Sequence, residues 1–399
     1  MKPIGMTHYT AVNALGYGNA AILKSLQEQR MGLTPCDFNG AALNTYIGKV
    51  DDLPSYALTD QYAKYDCRNN RLANAVLLQD GFADAVCQKI KQYGATRVAV
   101  IIGTSTSGVE ELEQSYRLRD PVTGRLPTEK QLQYTYNLFS ISDYIATRLG
   151  AEGPCYTVST ACSSSAKVFA VAARLIQSGL CDAAVVGGVD TLCLNTLHGF
   201  NSLQLLSEQP CQPFDKHRKG VSIGEGGGLA FLEKESNTSN AKVMLMGYGE
   251  STDAYHMSSP CPDGRGAAAS MSKALQSSGL GADQIDYINL HGTGSDINDS
   301  SEANAVFNIF GGTMPATATK GYTGHTLGAA GITETVISLL SLENQFLPVT
   351  VNTEIVDPKV TINIQTRDVA GSFAAPIKTV MSNSFGFGGN NCSLVFGLL

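Results

Sequence analysis

The chain has 399 residues, of which 43% are hydrophobic and 16% are charged, a composition typical of a globular protein with a large core. A net charge of −7 argues against a general nucleic-acid-binding protein, because such proteins carry an excess of Lys and Arg. No run approaches the ~18–20 apolar residues of a membrane span, and the first residues contain no apolar signal core. We therefore expect a cytoplasmic protein.

Apolar runs bounded by glycine alternate with helical patterns along the chain. These runs predict buried strands at Val98–Gly103, Ala183–Gly188, Leu229–Leu232, Tyr287–Leu290 and Thr379–Asn383. Helices are predicted at Ala20–Arg30, Arg71–Tyr93, Ser140–Leu149, Ser165–Ser178, Gly266–Ser278, Ser301–Phe310 and Ala329–Asn344. A Val/Ile-rich strand is not predicted at the start of the chain. Strands that alternate with helices indicate an α/β fold with a largely parallel sheet.

Two polar segments interrupt this pattern. Glu233–Ala241 predicts a loop that divides the chain into two halves, residues 1–236 and 237–399. Gln114–Gln133 is charged, contains a Pro-Val-Thr-Gly-Arg turn and is typical of a surface excursion. The length allows either two domains or two halves of one domain.

Cys162 lies where a strand pattern changes into a helix pattern. Pro154–Val158 is rich in strand-forming residues, and Ala166–Gly179 is an apolar helix-forming segment that ends at glycine. The cysteine is therefore expected near a helix N-terminus, where unpaired N–H groups and the helix dipole lower the pKa of a thiol. We interpret Cys162 as a nucleophile on a buried helix. The other nine cysteines lack Cys-x-x-Cys and zinc spacing and are interpreted as ordinary thiols.

Two of the six histidines follow strand-like runs in glycine-rich surroundings. His291 precedes Gly292-Thr293-Gly294, and His325 lies within Gly324–Gly331. An isolated histidine is more often structural than functional, but flanking glycines allow the backbone to approach a ligand closely. A third glycine-rich segment, Asn383–Asn391, fits either a flexible loop or a tight backbone that presents N–H groups.

Together these segments resemble the elongating β-ketoacyl-acyl carrier protein synthases, condensing enzymes of the thiolase superfamily. The resemblance begins near Ala11, continues to the C-terminus and keeps the motifs in the expected order. The matching segments are Thr160–Ser164, Pro213–Asp215, Gly224–Gly226, Ser251–Met257, His291–Thr293, Lys320–Gly331 and Ser384–Gly389. It implies a thiolase fold, two similar α/β halves in a layered αβαβα arrangement, with the nucleophilic cysteine in residues 1–236 and both histidines in residues 237–399.

The resemblance also implies a role for each matching residue. Cys162 corresponds to the acyl-accepting nucleophile, and His291 and His325 to the pair that assists decarboxylation of a malonyl thioester. Lys320 and Glu302 correspond to the lysine and the glutamate of the active site. The backbone N–H groups of Cys162 and Phe387 would form the oxyanion hole, with Phe387 as a gate. The implied substrate-binding residues are Thr293, Ser295, Phe385, Phe387 and Thr106. The carrier-docking cations are Lys64 and Arg68, with Arg117, Arg119 and Arg125 as further candidates.

The implied activity is decarboxylative Claisen condensation of an acyl-enzyme with malonyl-acyl carrier protein, which extends a fatty acid, polyketide or polyene chain by two carbons. No metal or diffusible cofactor is expected, since the phosphopantetheine belongs to the acyl carrier protein. The expected partners are the acyl- and malonyl-loaded carrier, and a second chain in a homodimer or in a heterodimer with a related ketosynthase or chain-length factor. No nucleic acid is expected.

Two alternatives remain open. A non-catalytic or weakly active chain-length factor would pair with another ketosynthase, but the presence of Cys162 and both histidines counts against it. A coenzyme A thiolase would carry a cysteine base in its C-terminal segment, where this chain has Gly-Phe-Gly-Gly-Asn-Asn.

Several positions depart from the family pattern. Ser295 and Asn390 replace threonines, Lys167 replaces a histidine, and Thr106 lies where the deep end of the acyl pocket is often aliphatic. An unpaired Thr106 hydroxyl would favour unsaturated, rigid or aryl-capped chains, whereas a hydroxyl satisfied by the protein would not take part. These departures favour a specialised polyketide or polyene pathway, such as aryl polyene synthesis.

Overall fold

A computed structural model describes residues 1–127, 132–234, 241–367 and 376–398. The strands within these ranges are β1 Ile4–Asn13, β2 Gly16–Tyr17, β3 Leu33–Pro35, β4 Tyr46–Gly48, β5 Val98–Gly103, β6 Cys155–Val158, β7 Ala183–Asp190, β8 Ile223–Gly224, β9 Gly226–Lys234, β10 Val243–Thr252, β11 Tyr287–Leu290, β12 Pro315–Ala318, β13 Asn363–Ile364, β14 Thr379–Gly386 and β15 Asn390–Leu398. The helices are α1 Gly18–Gln27, α2 Arg68–Leu77, α3 Phe82–Tyr93, α4 Val109–Arg117, α5 Leu132–Thr135, α6 Ser140–Leu149, α7 Ser164–Gln177, α8 Leu194–Ser202, α9 Arg265–Ser278, α10 Asp296–Phe310, α11 Lys320–Thr323 and α12 Ala330–Asn344.

The main sheet repeats one strand order in its two halves. Its path is β13-β12-β11-β14-β15-β10-β1-β9-β7-β5-β6. From the outer edge inward, the first half reads β6-β5-β7-β9-β1 and the second half reads β12-β11-β14-β15-β10. If the five strands of each half are numbered in chain order, both halves have the order third, second, fourth, fifth, first. In each half the fifth strand runs antiparallel to both of its neighbours, and the other pairs are parallel. The repeat confirms the expectation of two similar α/β halves.

Three sequence predictions of local structure are wrong. The sheet is mixed rather than largely parallel. The prediction failed because a fully buried apolar run does not indicate whether a strand is parallel or antiparallel to its neighbours. No strand was predicted at the start of the chain, but β1 lies there, pairs with β9 and with β10 and joins the two halves. The single helix predicted over Arg71–Tyr93 is divided into α2 and α3 at Asp80 and Gly81, which have φ values of 51° and 66°.

The predicted boundary between the halves lies outside the described residues, as do residues 235–240 of the polar loop. The strand β9 continues to Lys234, and β10 begins at Val243. In the predicted surface excursion, Arg117–Arg125 are exposed, and residues 128–131 lie outside the described ranges.

Helices cover both faces of each half of the sheet. α7 and α12 pack against each other between the two halves, and α12 is buried from Ala330 to Leu342. On the outside, α2, α3 and α6 pack on the first half, and α9 and α10 cover the second. The layers therefore follow the expected αβαβα order. Within the described part of the chain, no helix is long and apolar enough to cross a membrane.

The repeat places the predicted catalytic residues at matching points. Cys162 lies between β6 and α7, and His325 lies between β12 and α12. Both are therefore near the N-terminal ends of the two central helices. His291 follows directly after β11, the parallel neighbour of β12. The topology thus brings three distant segments together.

Candidate active site

The turn that carries Cys162 is tightly bonded. Ala161 has φ of 51°, in the left-handed region that residues with a side chain rarely adopt. The N–H of Thr160 donates to Ser164 Oγ at 2.9 Å, and Ser163 Oγ donates to the carbonyl of Thr160 at 3.0 Å. The serines after the cysteine therefore hold the turn closed at the start of α7.

The pKa of the Cys162 thiol is raised to about 11, chiefly because the side chain is buried. The backbone N–H of Phe387, the Lys320 ammonium and the N–H of Cys162 itself oppose this shift. The expectation of a lowered pKa is therefore wrong, since loss of hydration outweighs the stabilising groups. The resting group is a thiol.

His291 and His325 converge on Cys162. The sulfur and one nitrogen of each ring lie within 4.8 Å of one another. The two rings are perpendicular, with centroids 5.2 Å apart and an interplanar angle of 84°. A metal ion could use the same three atoms, but the Lys320 ammonium beside His291 disfavours a second cation there.

Hydrogen bonds fix the tautomer of both imidazoles. The Lys320 ammonium lies 3.1 Å from His291 Nδ1, and the N–H of Leu327 donates to His325 Nδ1 at 3.1 Å. Burial and the Lys320 charge hold the pKa of each histidine well below its usual value. Each ring is therefore neutral, accepts through Nδ1 and carries its proton on Nε2.

Lys320 and Glu334 form a buried ion pair behind His291. The Lys320 ammonium donates to Glu334 Oε1 and to the carbonyl of His291. Burial raises the pKa of Glu334 to about 7, and the Lys320 charge opposes this shift. Sequence analysis missed Glu334, although an acidic residue inside the apolar segment Ile332–Leu342 signals a buried partner.

Glu302 holds the backbone around His291. Its carboxylate accepts the N–H groups of His291 and Gly292, both at 2.8 Å, from its buried position on α10. Burial raises the pKa of Glu302 to about 7, and these two N–H groups oppose the shift. Glu302 thus fixes the backbone of the loop that follows β11.

A cavity of about 350 Å³ leads to the cysteine and the histidines. Its lining includes Cys162, His291, His325, Thr293, Ser295, Phe385 and Phe387. The hydroxyls of Thr293 and Ser295 lie 2.9 Å apart, and Ser295 caps α10. The structure therefore brings these seven predicted site residues to one cavity.

Phe387 lies between Cys162 and α8. Its N–H approaches the Cys162 sulfur, and its ring stacks on Phe200 with centroids 5.4 Å apart. A Cβ on Gly386 would lie 3.1 Å from the nitrogen of Cys162, so a larger residue would have to push this backbone away from the turn by a few tenths of an ångström. Lys167 on α7 donates to Asn390 Oδ1 at 3.3 Å, just beyond this segment. Phe200 was not predicted from the sequence.

Of the two alternatives for the Thr106 hydroxyl, the structure shows the one in which the protein satisfies it. Thr106 Oγ1 donates to Asp190 Oδ1 at 2.7 Å and accepts from the N–H of Thr191 at 3.2 Å. Thr106 is buried and falls outside the set of described residues that line the cavity. The satisfied hydroxyl gives no preference for unsaturated or aryl-capped chains.

The structure separates the predicted docking cations. Arg68 makes a two-pronged ion pair with the buried Glu225, with Nε 2.9 Å from Oε2, so its charge is compensated inside the protein. This corrects its assignment as a docking residue. The Lys64 ammonium lies over the rings of Tyr65 and Tyr134, at 4.8 and 4.6 Å. Arg117, Arg119 and Arg125 are exposed.

Comparisons with known proteins identify the family of the chain. The N-terminal domain model of β-ketoacyl synthases matches residues 74–238, and the C-terminal domain model matches residues 243–354. The chain is 32% identical over 416 aligned positions to 3-oxoacyl-[acyl-carrier-protein] synthase 2 of Synechocystis sp., covering 99% of this chain and 98% of that protein. It is 38% identical over 272 positions to the mitochondrial 3-oxoacyl-[acyl-carrier-protein] synthase of Arabidopsis thaliana, covering 64% of this chain and 59% of that protein.

A solved structure extends the likeness over the whole chain. It is the complex of a Xenorhabdus doucetiae ketosynthase with its chain length factor. A chain of this complex aligns with a TM-score of 0.88 and 37% identity, covering 100% of this chain and 98% of that one. The chain therefore belongs to the β-ketoacyl synthase family, has the thiolase fold and is an acyltransferase of the 3-oxoacyl-[acyl-carrier-protein] synthase class.

Proposed function

We propose that the chain condenses an acyl group held on Cys162 with a malonyl group carried by acyl carrier protein, and so extends the acyl chain by two carbons. The observation that carries this proposal is the convergence of one thiol and two neutral histidines on one cavity. Because the hydrogen bonds from Lys320 and Leu327 are made at Nδ1, the Nε2–H group of each ring is left to donate to a substrate.

In the first step, the sulfur of Cys162 attacks the carbonyl carbon of an acyl-carrier thioester. The bond to the carrier sulfur breaks, and the proton lost from Cys162 ends on the carrier thiol. The N–H groups of Cys162 and Phe387 would stabilise the oxyanion, and their approach to the sulfur supports this role. One such donor typically contributes about 3 kcal/mol to a transition state.

In the second step, the malonyl group loses carbon dioxide, and its thioester becomes an enolate. Two Nε2–H donors stabilise the enolate oxygen without requiring a charged imidazolium. The enolate carbon then attacks the acyl-Cys162 carbonyl, and the cysteine leaves as a thiolate that takes a proton from solvent. Covalent capture thus divides a two-substrate reaction into two easier steps.

The phosphopantetheine arm of the carrier would enter through the cavity. Thr293 and Ser295 supply hydroxyls to its amides, while Phe385 and Phe387 supply apolar wall. The chemistry uses protein groups at every step, so we propose that it needs no metal or diffusible cofactor.

We further propose that the chain serves a specialised polyketide or polyene pathway, such as aryl polyene synthesis, as part of a heterodimer. The full-length likeness to the ketosynthase–chain length factor complex of Xenorhabdus doucetiae supports such a partner. The departures from the family pattern at Lys167, Ser295 and Asn390 support a specialised pathway, whereas the satisfied Thr106 hydroxyl gives no such support.

The test supplies purified protein, alone and with a co-expressed partner chain, with acyl-carrier and then malonyl-carrier. Intact-mass analysis should show one acyl group on Cys162 and a 3-oxoacyl-carrier two carbons longer. Cys162→Ala should lose both products, and Cys36→Ala, which changes a cysteine outside the cavity lining, should keep both.

Other outcomes would refute the proposal. A chain-length factor would take no acyl group, even when its partner is active. A thiolase would use acyl-coenzyme A without releasing carbon dioxide. An acyl adduct that remains in Cys162→Ala would refute the assignment of the nucleophile.

A further inference from the structure

Asp190 is a buried carboxylate at the end of β7, and it is not among the described residues that line the cavity. Its Oδ1 accepts the hydroxyl of Thr104 at 2.6 Å and the N–H of Thr106 at 2.8 Å. The N–H of Ser105 lies 2.9 Å from both carboxylate oxygens. The N–H of Gly328 donates to Oδ2 at 2.5 Å. One side chain thus joins the loop after β5 to the loop before α12.

The loop after β5 contacts the nucleophile turn. Ser105 Oγ donates to the carbonyl of Ala161 at 3.4 Å. Ala161 is the left-handed residue directly before Cys162. Asp190 therefore reaches the Cys162 turn only indirectly, through residues 104–106 and this long bond, and the turn keeps its own bonds to Ser163 and Ser164.

The loop before α12 sets the state of His325. Leu327 has φ of 55°, and its N–H is the group that donates to His325 Nδ1. The next residue, Gly328, is held directly by Asp190. A Cβ on Gly328 would lie 2.6 Å from Asp190 Oδ2 and 2.8 Å from Ser105 Oγ, so the contact leaves no room for a side chain.

We propose that Asp190 is a positioning residue for the decarboxylation and condensation steps. It lies in the first half of the fold, whereas His325 lies in the second. By tying the turn at 327–328 to the loop at 104–106, it fixes the His325 imidazole relative to Cys162. This proposal rests on the function proposed above.

The test separates the two half-reactions in Asp190→Asn, which keeps the shape but replaces a carboxylate oxygen with a donor. Acyl-Cys162 formation should stay within about threefold of the wild type, because attack by Cys162 does not use His325 Nε2–H. Release of carbon dioxide from malonyl-carrier should fall about 10- to 100-fold, the scale expected when a catalytic group is displaced by about 1 Å.

Two further variants keep the test decisive. Gly328→Ala inserts a methyl group into the same contact without changing the carboxylate, and should cause the same selective loss even if Asp190→Asn fails to fold. Asp182→Asn changes a partly exposed carboxylate just before the other end of β7, paired with Arg97, and should leave both half-reactions unchanged.

The outcomes distinguish this proposal from the function it rests on. An equal loss of both half-reactions, or no loss in either, would overturn the positioning role. A wild-type protein that forms no acyl-Cys162 and releases no carbon dioxide would overturn the proposed function instead.

Discussion

Single residues decide the charge state of the active site. His291 and His325 each receive one hydrogen bond at Nδ1, from Lys320 and from Leu327, and burial keeps both rings neutral. The Lys320 charge is in turn balanced by Glu334. Both Nε2–H donors are therefore preorganised, which lowers the reorganisation energy when an enolate forms in the proposed reaction.

We predict that alkylation of Cys162 becomes faster throughout the alkaline range. With a pKa of about 11, the thiolate fraction rises nearly tenfold for each pH unit up to about pH 10. The measurement is the iodoacetamide rate at Cys162 between pH 7 and 10, followed by peptide mass mapping. An unstructured peptide with a single cysteine serves as the reference, and its rate should level off near the ordinary thiol pKa of about 8.5.

A plateau of the Cys162 rate below pH 8.5 would contradict this prediction. It would mean that the helix N-terminus and the N–H of Phe387 outweigh burial, as the sequence alone suggests.

At the level of elements, the contact between α7 and α12 fixes the positions of the two segments that carry Cys162 and His325. A Cβ on Gly331 would lie 2.5 Å from the nitrogen of Ala166 and 2.8 Å from its Cβ. Because both helices are buried between the halves of the sheet, neither can move without disturbing the sheet packing.

Gly331→Ala should therefore destabilise the protein. Overpacking at a buried helix contact typically costs about 1–3 kcal/mol, despite the better helix propensity of alanine. Gly199→Ala in α8 is the matched control, because a Cβ there meets nothing within 4 Å and should be neutral or slightly stabilising. The measurement is the melting temperature of both variants, and a Gly331→Ala value at or above the control would contradict the argument.

At the level of the whole molecule, the proposed function requires this acidic chain to bind an acyl carrier protein, a class of protein that is generally acidic. The net charge is −7, and the Arg68 charge is compensated by Glu225. This leaves the half-buried Lys64 and the exposed Arg117, Arg119 and Arg125 as candidate docking cations. A local patch can attract a partner of the same net sign as the protein, because distant charges are screened within about 10 Å at 0.1 M salt.

We expect Lys64→Glu to raise the KM for acyl-carrier about fivefold or more at low salt. The effect should shrink at 1 M NaCl, where the Debye length is about 3 Å. Lys24→Glu on α1 is the control, a charge reversal at an exposed side chain outside the cavity lining. If the two variants behave alike at every salt concentration, Lys64 has no part in docking.

The sequence by itself indicated the residues that converge on the cavity and determined most of the buried elements. Cys162, His291 and His325 stand out because glycine and small residues surround them, and β5, β11 and α6 have the predicted bounds. These signals are local, since periodicity and turn composition act over a few neighbouring residues.

Only the tertiary structure decided how these residues are charged and paired. Glu334, Asp190 and Phe200 act through partners that are distant in sequence, so local patterns do not reveal them. The fold also decided between the two alternatives for Thr106, whose hydroxyl bonds to Asp190, and it pairs the predicted docking residue Arg68 with Glu225. The Cys162 pKa follows from burial between two sheet halves, and burial depends on how all of the elements pack, not on the residues beside the cysteine.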